Sequence, residues 1–250
     1  MRFFDAHTHI DMKHYQHDRD QVIERAKKVG LIGMVTSSMG PGSFRRTLGI
    51  VKKYKGYIHH SAGCQASRLT EEEASKTISL IKKYAATIVA VGEVGLDYYW
   101  VKDANQRKAQ EPLFQMFINL ASELNLPLVI HSRKAEARAT EILEKNAAND
   151  VLMHCYDGPK ETTKRIADNG WRITLPANFA RYRSRVDAAR TLPLEQILLE
   201  TDGPYLSPTE NRNEPANIAY GCESLADLLE LPSEDVAKAT TKNALAFYRL

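Results

Sequence analysis

Eight short apolar segments rich in β-branched residues recur along the chain, and each is followed by a longer stretch with helical spacing. The apolar segments are 2–7, 31–37, 57–63, 88–93, 127–131, 151–154, 171–175 and 197–202. The helical stretches are 20–29, 43–54, 71–84, 105–124, 136–145, 160–168, 181–191, 216–230 and 234–248. Strands that read as continuous apolar runs are buried on both faces, as in parallel sheets. The repeat therefore predicts a TIM-type (β/α)8 barrel with an extra C-terminal helix.

A doubly wound open sheet is the alternative architecture. Such a fold normally carries a glycine-rich phosphate turn after its first strand, whereas the first strand here ends in His7-Thr8-His9. No low-complexity or Gly/Ser/Pro-rich linker divides the chain, so we expect one domain over residues 1–250. Thr70 and Ser233 each precede acidic residues and are predicted helix N-caps.

The composition excludes several classes of protein. With 34 Lys and Arg against 31 Asp and Glu, the net charge of +3 is too small for a uniformly basic nucleic-acid-binding surface. Charges interrupt every apolar run before it reaches the roughly 18 residues of a membrane span, so no membrane association is expected. The three cysteines are widely spaced and form no CxxC pair. Together with the absence of a secretory signal pattern, they favour a cytoplasmic protein with no obligate protein partner.

Polar residues with metal-binding side chains lie where the apolar segments end. They are His7, His9, Glu93, His131, His154 and Asp202. In a barrel the carboxyl ends of the strands form one rim, so we expect these side chains to meet there. Imidazole and carboxylate ligands together suit zinc or manganese, whereas magnesium prefers more oxygen. The set fits one or two divalent ions with open positions for water.

Each of these residues also has an ordinary structural explanation. An isolated His-x-His pair is often a surface feature, and a histidine at a strand end is often simply hydrogen-bonded. A buried Glu93 or Asp202 can cap a helix or pair with an arginine. The metal-site hypothesis is favoured because one cause explains why histidine or carboxylate residues stand at five strand ends.

Several motifs resemble the successive signatures of the TatD family. They are DAHTHID (5–11), GEVGLDYY (92–99), HSR (131–133), HCYDG (154–158), ETDGPYL (200–206), RNEP (212–215) and, in the closing helix, ATTKNA (239–244). The resemblance implies a TIM-barrel metal-dependent hydrolase of the amidohydrolase superfamily, with deoxyribonuclease activity in several members. It also implies that His7, His9 and Asp202 hold one ion, that His131 and His154 hold a second, and that Glu93 bridges them.

The chain departs from the family pattern in two segments. After the third strand it reads GCQAS (63–67), where many members have a Gly-Val-His-Pro-His stretch. After the seventh strand it reads PANFARYR (176–183), which lacks the usual small residues. Both segments bear on substrate choice rather than on the metal ligands.

The resemblance and the basic residues expected near the rim together imply a deoxyribonuclease that cleaves single-stranded DNA with metal-activated water. Asp202 is the expected group that orients this water and accepts its proton, and Glu93 would set the separation of the ions. Arg133, Tyr98 and Arg212 are the predicted substrate-binding residues, because guanidinium groups bind phosphate and aromatic rings stack on bases. Hydrolysis of a small amide, ester or lactone is one alternative, and a non-catalytic metal-binding protein is another.

Overall fold

Eight strands alternate with helices along residues 1–250 in the computed structural model. The strands are β1 (Phe3–Thr8), β2 (Leu31–Met39), β3 (Ile58–Gly63), β4 (Ala90–Gly95), β5 (Leu128–His131), β6 (Val151–Met153), β7 (Arg172–Pro176) and β8 (Ile197–Glu200). The α-helices are α1 (Arg19–Lys28), α2 (Pro41–Lys53), α3 (Glu71–Lys83), α4 (Ala104–Leu124), α5 (Glu136–Lys145), α6 (Lys160–Asp168), α7 (Arg183–Thr191), α8 (Ile218–Leu229) and α9 (Ser233–Tyr248).

The strands form one parallel sheet in sequence order, from β1 to β8. The two ends of this sheet meet beyond β8, where the backbone N–H of Asp202 donates to the carbonyl of His7 at 3.0 Å and that of His9 donates to Gly203 at 2.9 Å. The barrel prediction is therefore confirmed, and the doubly wound alternative is wrong because an open sheet has no such contact between its first and last strands.

Two apolar clusters hold the barrel together. The larger packs the outer faces of the strands against the surrounding helices. The smaller combines strand residues with Ala244, Phe247 and Tyr248 of α9, and it contains no residue of α1 to α8. The hydroxyl of Tyr248 donates to the carbonyl of Ala6 at 2.7 Å. The extra helix thus closes the amino-terminal end of the barrel, opposite the rim where the predicted donors lie.

The predicted element boundaries shift by a few residues. Strand β4 continues two residues past Glu93, whereas β8 ends two residues before Asp202. Thr70 caps α3 as predicted, since its hydroxyl accepts from the backbone N–H of Glu73 at 3.2 Å. The prediction for Ser233 is wrong: Pro232 occupies the N-cap position, and Ser233 is the first helical residue. Among the helices, none is both long enough and apolar enough to cross a membrane.

Candidate metal centre

The carboxyl end of the barrel brings the six predicted donors together. His7 lies in β1 with His9 just beyond it, Glu93 lies in β4, and His131 ends β5. His154 follows β6 directly, and Asp202 follows β8. Five of the six residues are buried, and His131 is half-buried. Residues far apart in sequence therefore converge at the rim, as the barrel prediction requires.

Four of these side chains form one half of the cluster. Nε2 of His7 lies 3.0 Å from Oε2 of Glu93 and 3.9 Å from Oδ1 of Asp202. Nε2 of His9 lies 3.4 Å from the same Asp202 oxygen. The Nε2 atoms of His7 and His9 are 3.3 Å apart, so both imidazoles present a nitrogen to one small volume.

The other half is built on β5 and the end of β6. Nδ1 of His131 lies 3.3 Å from Nε2 of His154. That Nε2 atom is 3.1 Å from Oε2 of Glu93, and Nδ1 of His131 is 4.0 Å from Oε1 of Glu93. Glu93 therefore faces both halves of the cluster.

The backbone around Glu93 is fixed by close neighbours. Its N–H donates to the hydroxyl of Ser37 at 2.7 Å, and that hydroxyl donates to the carbonyl of Gly92 at 2.8 Å. Gly95 has φ +143°, and a Cβ there would lie 2.1 Å from the carbonyl oxygen of His131. Only glycine permits this approach of β4 to β5, and the approach sets Glu93 beside His131.

Two histidines are oriented from behind by groups outside the cluster. Nδ1 of His9 lies 3.1 Å from the carbonyl oxygen of Ser37, and Nε2 of His131 lies 3.1 Å from Oδ2 of Asp97. Such contacts fix the tautomer of a metal-binding histidine and direct its other nitrogen forward. Sequence reasoning assigned no role to Asp97. A signal was present, because Asp97 follows Glu93 by four residues and a period of two places both on one face of an extended segment.

A second carboxylate missed from the sequence is Glu200. Its Oε2 accepts from the hydroxyl of Thr174 at 2.6 Å and lies 3.6 Å from Nδ1 of His154. Glu200 is fully buried at the end of β8, two residues before Asp202. It therefore supplies negative charge behind His154, on the side away from Glu93.

The charges in the cluster shift the pKa values of its members. Burial opposes protonation of His9, but its contact with Asp202 and the charge of Glu93 outweigh this and raise its pKa to about 10. Burial likewise opposes protonation of His154, yet the charges of Glu93 and Glu200 raise its pKa to about 9. The pKa of Glu93 is well below its ordinary value, because the positive potential of His154 and His7 outweighs the effect of burial. The carboxylates thus stay ionised and attract positive charge.

The donor set fits divalent cations. Three groups of side chains each bring three ligand atoms within 4.8 Å of one another: His7 with His9 and Glu93, His7 with His154 and Asp202, and Glu93 with His131 and His154. Oε2 of Glu93 has no hydrogen-bond partner although two imidazole nitrogens lie close to it. A bound cation would satisfy this oxygen and leave the imidazoles neutral.

The cluster opens into a cavity of about 850 Å³ on the carboxyl side of the barrel. Arg133 lies in its wall with Tyr99 and Trp100. The guanidinium carbon of Arg133 is 3.9 Å from the centre of the Tyr99 ring and 5.9 Å from that of Trp100. Trp100 is 65% exposed, so this aromatic and cationic surface is available to a ligand.

Two predicted substrate-binding residues lie elsewhere. Tyr98 is half-buried against the apolar core, beneath the guanidinium of Arg107 at 4.8 Å, and it is absent from the cavity wall. Arg212 makes two hydrogen bonds to the carboxylate of Asp18, at 2.6 and 3.1 Å, and stacks on Tyr15. The ion pair with Asp18 holds Arg212 away from the cavity. In the loop after β4, Tyr99 and Trp100 face the cavity and Tyr98 does not.

The segment that departs from the family pattern after β3 also reaches the cavity. Gln65, Ser67 and Arg68 lie in its wall. The wall on this side therefore offers an amide, a hydroxyl and a guanidinium.

Comparison with known proteins identifies relatives along the whole chain. A sequence model of the family described as TatD related DNase matches residues 4–249. An uncharacterized metal-dependent hydrolase of Methanocaldococcus jannaschii is 36% identical over 252 residues, which cover 100% of this chain and 98% of that protein. The deoxyribonuclease TATDN3 of Homo sapiens is 30% identical over 256 residues, which cover 98% of this chain and 93% of that protein.

The fold has a close counterpart among solved structures. The crystal structure of YjjV, a TatD homologue from Escherichia coli, matches with a TM-score of 0.91 at 24% identity and covers 100% of this chain and 98% of its own. This likeness confirms the barrel with its flanking helices. On the family match and the sequence identity to its relatives, the chain belongs to the TatD family and is a metal-dependent hydrolase.

Proposed function

We propose that the protein is a deoxyribonuclease that hydrolyses phosphodiester bonds of single-stranded DNA. The observation that carries the proposal is the position of the donor cluster: it opens into a cavity whose wall combines Trp100 and Tyr99 with the guanidinium of Arg133. Aromatic faces stack on unpaired bases, and guanidinium groups bind phosphate. The name of the human relative, deoxyribonuclease TATDN3, supports the same substrate class.

The six donors would hold one or two divalent ions. We assign His7, His9 and Asp202 to one position, His131 and His154 to the other, and Glu93 to a bridge between them. Zinc and manganese suit this mixture of imidazole and carboxylate, and magnesium is the third candidate. When bound, such ions lower the pKa of water toward about 7 and stabilise the charge that develops on phosphate oxygens.

Asp202 is the proposed catalytic base. Its Oδ1 faces His7 and His9, and the side chain is one of the cavity-lining groups. A carboxylate in this position can orient an attacking water with one oxygen and accept its proton. The pKa of Asp202 lies below its ordinary value, since the nearby imidazoles outweigh the effect of burial. It is therefore ionised and able to accept a proton at neutral pH.

Substrate orientation would come from the opposite wall of the cavity. Arg133 stacks on Tyr99, which holds the guanidinium in place while its N–H groups remain available to a phosphate. The exposed ring of Trp100 offers a face to a base on the adjoining nucleotide. Both residues extend from segments next to metal-centre residues, Arg133 from His131 and Trp100 from Asp97.

Hydrolysis of a small amide, ester or lactone is the second candidate. The observation in its favour is the segment after β3, which departs from the family pattern and places Gln65 and Ser67 in the cavity wall. A non-catalytic metal-binding role is less favoured, because the structure keeps all six predicted donors together around one open cavity.

A substrate panel tests the proposal. Purified protein would be incubated with single-stranded DNA, double-stranded DNA and a set of amide, ester and lactone substrates, with and without a chelator. We expect cleavage of single-stranded DNA that stops on chelation and returns when zinc, manganese or magnesium is added. Metal-dependent turnover confined to amides, esters or lactones would establish the second candidate instead, and no turnover with any substrate would favour the binding role.

A further inference from the structure

Arg185 lies in the cavity wall on α7, beside the metal centre. The residue is only 6% exposed. Its Nη2 group donates to the sulfur of Cys155 at 3.2 Å, and Cys155 directly follows the predicted ligand His154. The Arg185 guanidinium is therefore held against the residue that directly follows the donor His154.

This buried cation has no charged partner. Nε and Nη1 of Arg185 form no hydrogen bond, and the only partner of Nη2 is a sulfur atom, which is a weak acceptor. No carboxylate lies within 4.0 Å of its guanidinium nitrogens, and two carboxylates of the cavity wall are engaged elsewhere: Asp157 accepts from Ser184 and lies 3.7 Å from Nζ of Lys134, and Glu136 accepts from the N–H of Lys134. A buried charge without a partner destabilises a fold by several kcal/mol. We therefore expect a negatively charged ligand to pair with the Arg185 guanidinium.

Tyr182 stacks on the guanidinium and also lines the cavity. The centre of its ring is 4.5 Å from the guanidinium carbon of Arg185, and the residue is 41% exposed. Exposed side chains change rotamer within nanoseconds. Rotation of the Tyr182 ring away from α7 would open the unpartnered N–H groups to the cavity without moving the backbone.

We infer that Arg185 is a binding residue for a phosphate group of the substrate. A planar guanidinium with free N–H groups matches two phosphate oxygens, and the phosphate would supply the negative charge that the site lacks. This inference rests on the proposed function, since it takes the substrate to be a phosphodiester chain. The phosphate belongs either to a terminal phosphomonoester or to an internal phosphodiester, and the two sources share the same chemistry.

The chain offers a matched control two residues away. Arg183 lies on the same helix, but its side chain is 87% exposed and pairs with Asp187 at 3.0 Å. It is not part of the cavity wall. Arg183→Met removes the same charge as Arg185→Met from the same helix, so any difference between the two variants reports on the buried position.

The first measurement uses inorganic phosphate and the purified metal-loaded protein. Inorganic phosphate is expected to raise the melting temperature of the wild type and of R183M, and to raise that of R185M by less than half as much. Without phosphate, R185M should melt at or above the wild-type temperature, because it removes an unpaired buried charge. A lower melting temperature together with an unchanged phosphate response would show that Arg185 is only structural and would overturn the inference.

The second measurement is the KM for oligonucleotides of one sequence that carry a 5′-phosphate, a 3′-phosphate or no terminal phosphate. R185M should raise KM about tenfold or more, which is the usual effect of losing hydrogen bonds to a charged group. An equal rise in KM for all three substrates assigns the bound phosphate to the chain interior. A rise confined to the 5′-phosphorylated or to the 3′-phosphorylated substrate assigns it to that terminus. Wild-type KM values for all three would overturn the inference.

Arg185→Lys covers the case in which R185M does not fold. It keeps the charge but loses the planar pair of N–H groups, so it should fold normally and raise KM by at least about threefold. The two proposals can fail independently. If the wild type cleaves no DNA but its phosphate response depends on Arg185, the nuclease proposal fails and the phosphate site remains. If the wild type cleaves DNA and R185M and R185K cleave it equally well, the nuclease proposal stands and the phosphate-binding role of Arg185 fails.

Discussion

Nε2 of His131, the last residue of β5, lies 3.1 Å from Oδ2 of Asp97, which lies in the loop just after the neighbouring strand β4. The register pairs Gly95 with His131, so the chain reaches Asp97 just beyond that pair. The other oxygen, Oδ1, accepts from the backbone N–H groups of Tyr99 and Trp100 at 2.9 and 2.8 Å. One carboxylate therefore orients a predicted metal ligand and shapes the loop that carries the aromatic wall of the cavity.

Replacing Asp97 with Asn separates these two roles. The amide oxygen of Asn can still accept from the loop N–H groups, but its NH₂ group cannot accept from Nε2–H of His131. We expect the fold to be kept and metal affinity to fall about 10- to 100-fold. Titration of metal into the metal-depleted protein measures this, with the exposed Asp187→Asn as the control. Equal metal affinity in wild type and D97N would show that Asp97 does not contribute to metal binding.

Asp202→Asn should abolish most turnover while leaving the fold intact. A general base contributes about 10²- to 10⁴-fold to rate, and an amide cannot accept the proton. The control is Asp157→Asn, which alters a carboxylate in the same cavity wall that is not among the six donors. Initial rates on single-stranded DNA and circular dichroism spectra check both expectations. Turnover in D202N at the wild-type level would exclude Asp202 as the base.

Trp100→Ala tests the aromatic wall. Loss of one stacking face costs about 1–3 kcal/mol per base, so KM for single-stranded DNA should rise by roughly five- to a hundredfold with little change in kcat. Tyr220→Ala is the control, because Tyr220 is an exposed aromatic residue on α8 outside the cavity. A similar change in both variants would mean that Trp100 does not contact the substrate.

His60 should make stability depend on pH. Burial lowers its pKa from 6.5 to about 4, and Nε2 lies 2.8 Å from the hydroxyl of Ser38. Between pH 4 and 6.5 the unfolded chain binds a proton at this site that the native state does not, so its contribution to stability falls as pH falls through this window. The loss from pH 7 to pH 5 is about 2 kcal/mol.

Urea unfolding of wild type and His60→Gln at pH 7 and pH 5 measures this contribution. Glutamine keeps a hydrogen-bonding group near Ser38 but does not titrate. The wild type should therefore lose about 2 kcal/mol more than H60Q between the two pH values. Equal losses would show that His60 is accessible to protons in the native state.

The sequence predicts the barrel and the positions of the six donors well because both depend on local periodicity. His7 and His9 lie two residues apart at a strand end, and the alternation of an extended segment puts both on one face. Parallel topology then brings distant strand ends to one rim. The same rule applied to Glu93 and Asp202 would also have drawn attention to Asp97 and Glu200, each separated from its partner by an even number of residues.

The loops are harder to predict because no periodicity fixes their direction. Tyr98 packs inward while Tyr99 and Trp100 face the cavity, and this order depends on the hydrogen bonds that Asp97 makes to the loop backbone. Arg212 follows β8 at a sequence separation that suits a position at the rim, but its guanidinium forms an ion pair with Asp18 instead. Arg185 shows the opposite case: it lies among alternating arginines that suggest an exposed helical face, yet it is buried beside Cys155.

Anomalous diffraction from crystals of the metal-loaded protein tests the central claim most directly. The protein would be loaded with zinc or with manganese, and data collected at the absorption edge of that metal would locate each bound ion. The account predicts one or two ions between His7, His9, Glu93, His131, His154 and Asp202, at about 2.0–2.3 Å from their nitrogen and oxygen atoms. Crystals of active protein with no ion among these six side chains, or with ions bound elsewhere on the barrel, would contradict it.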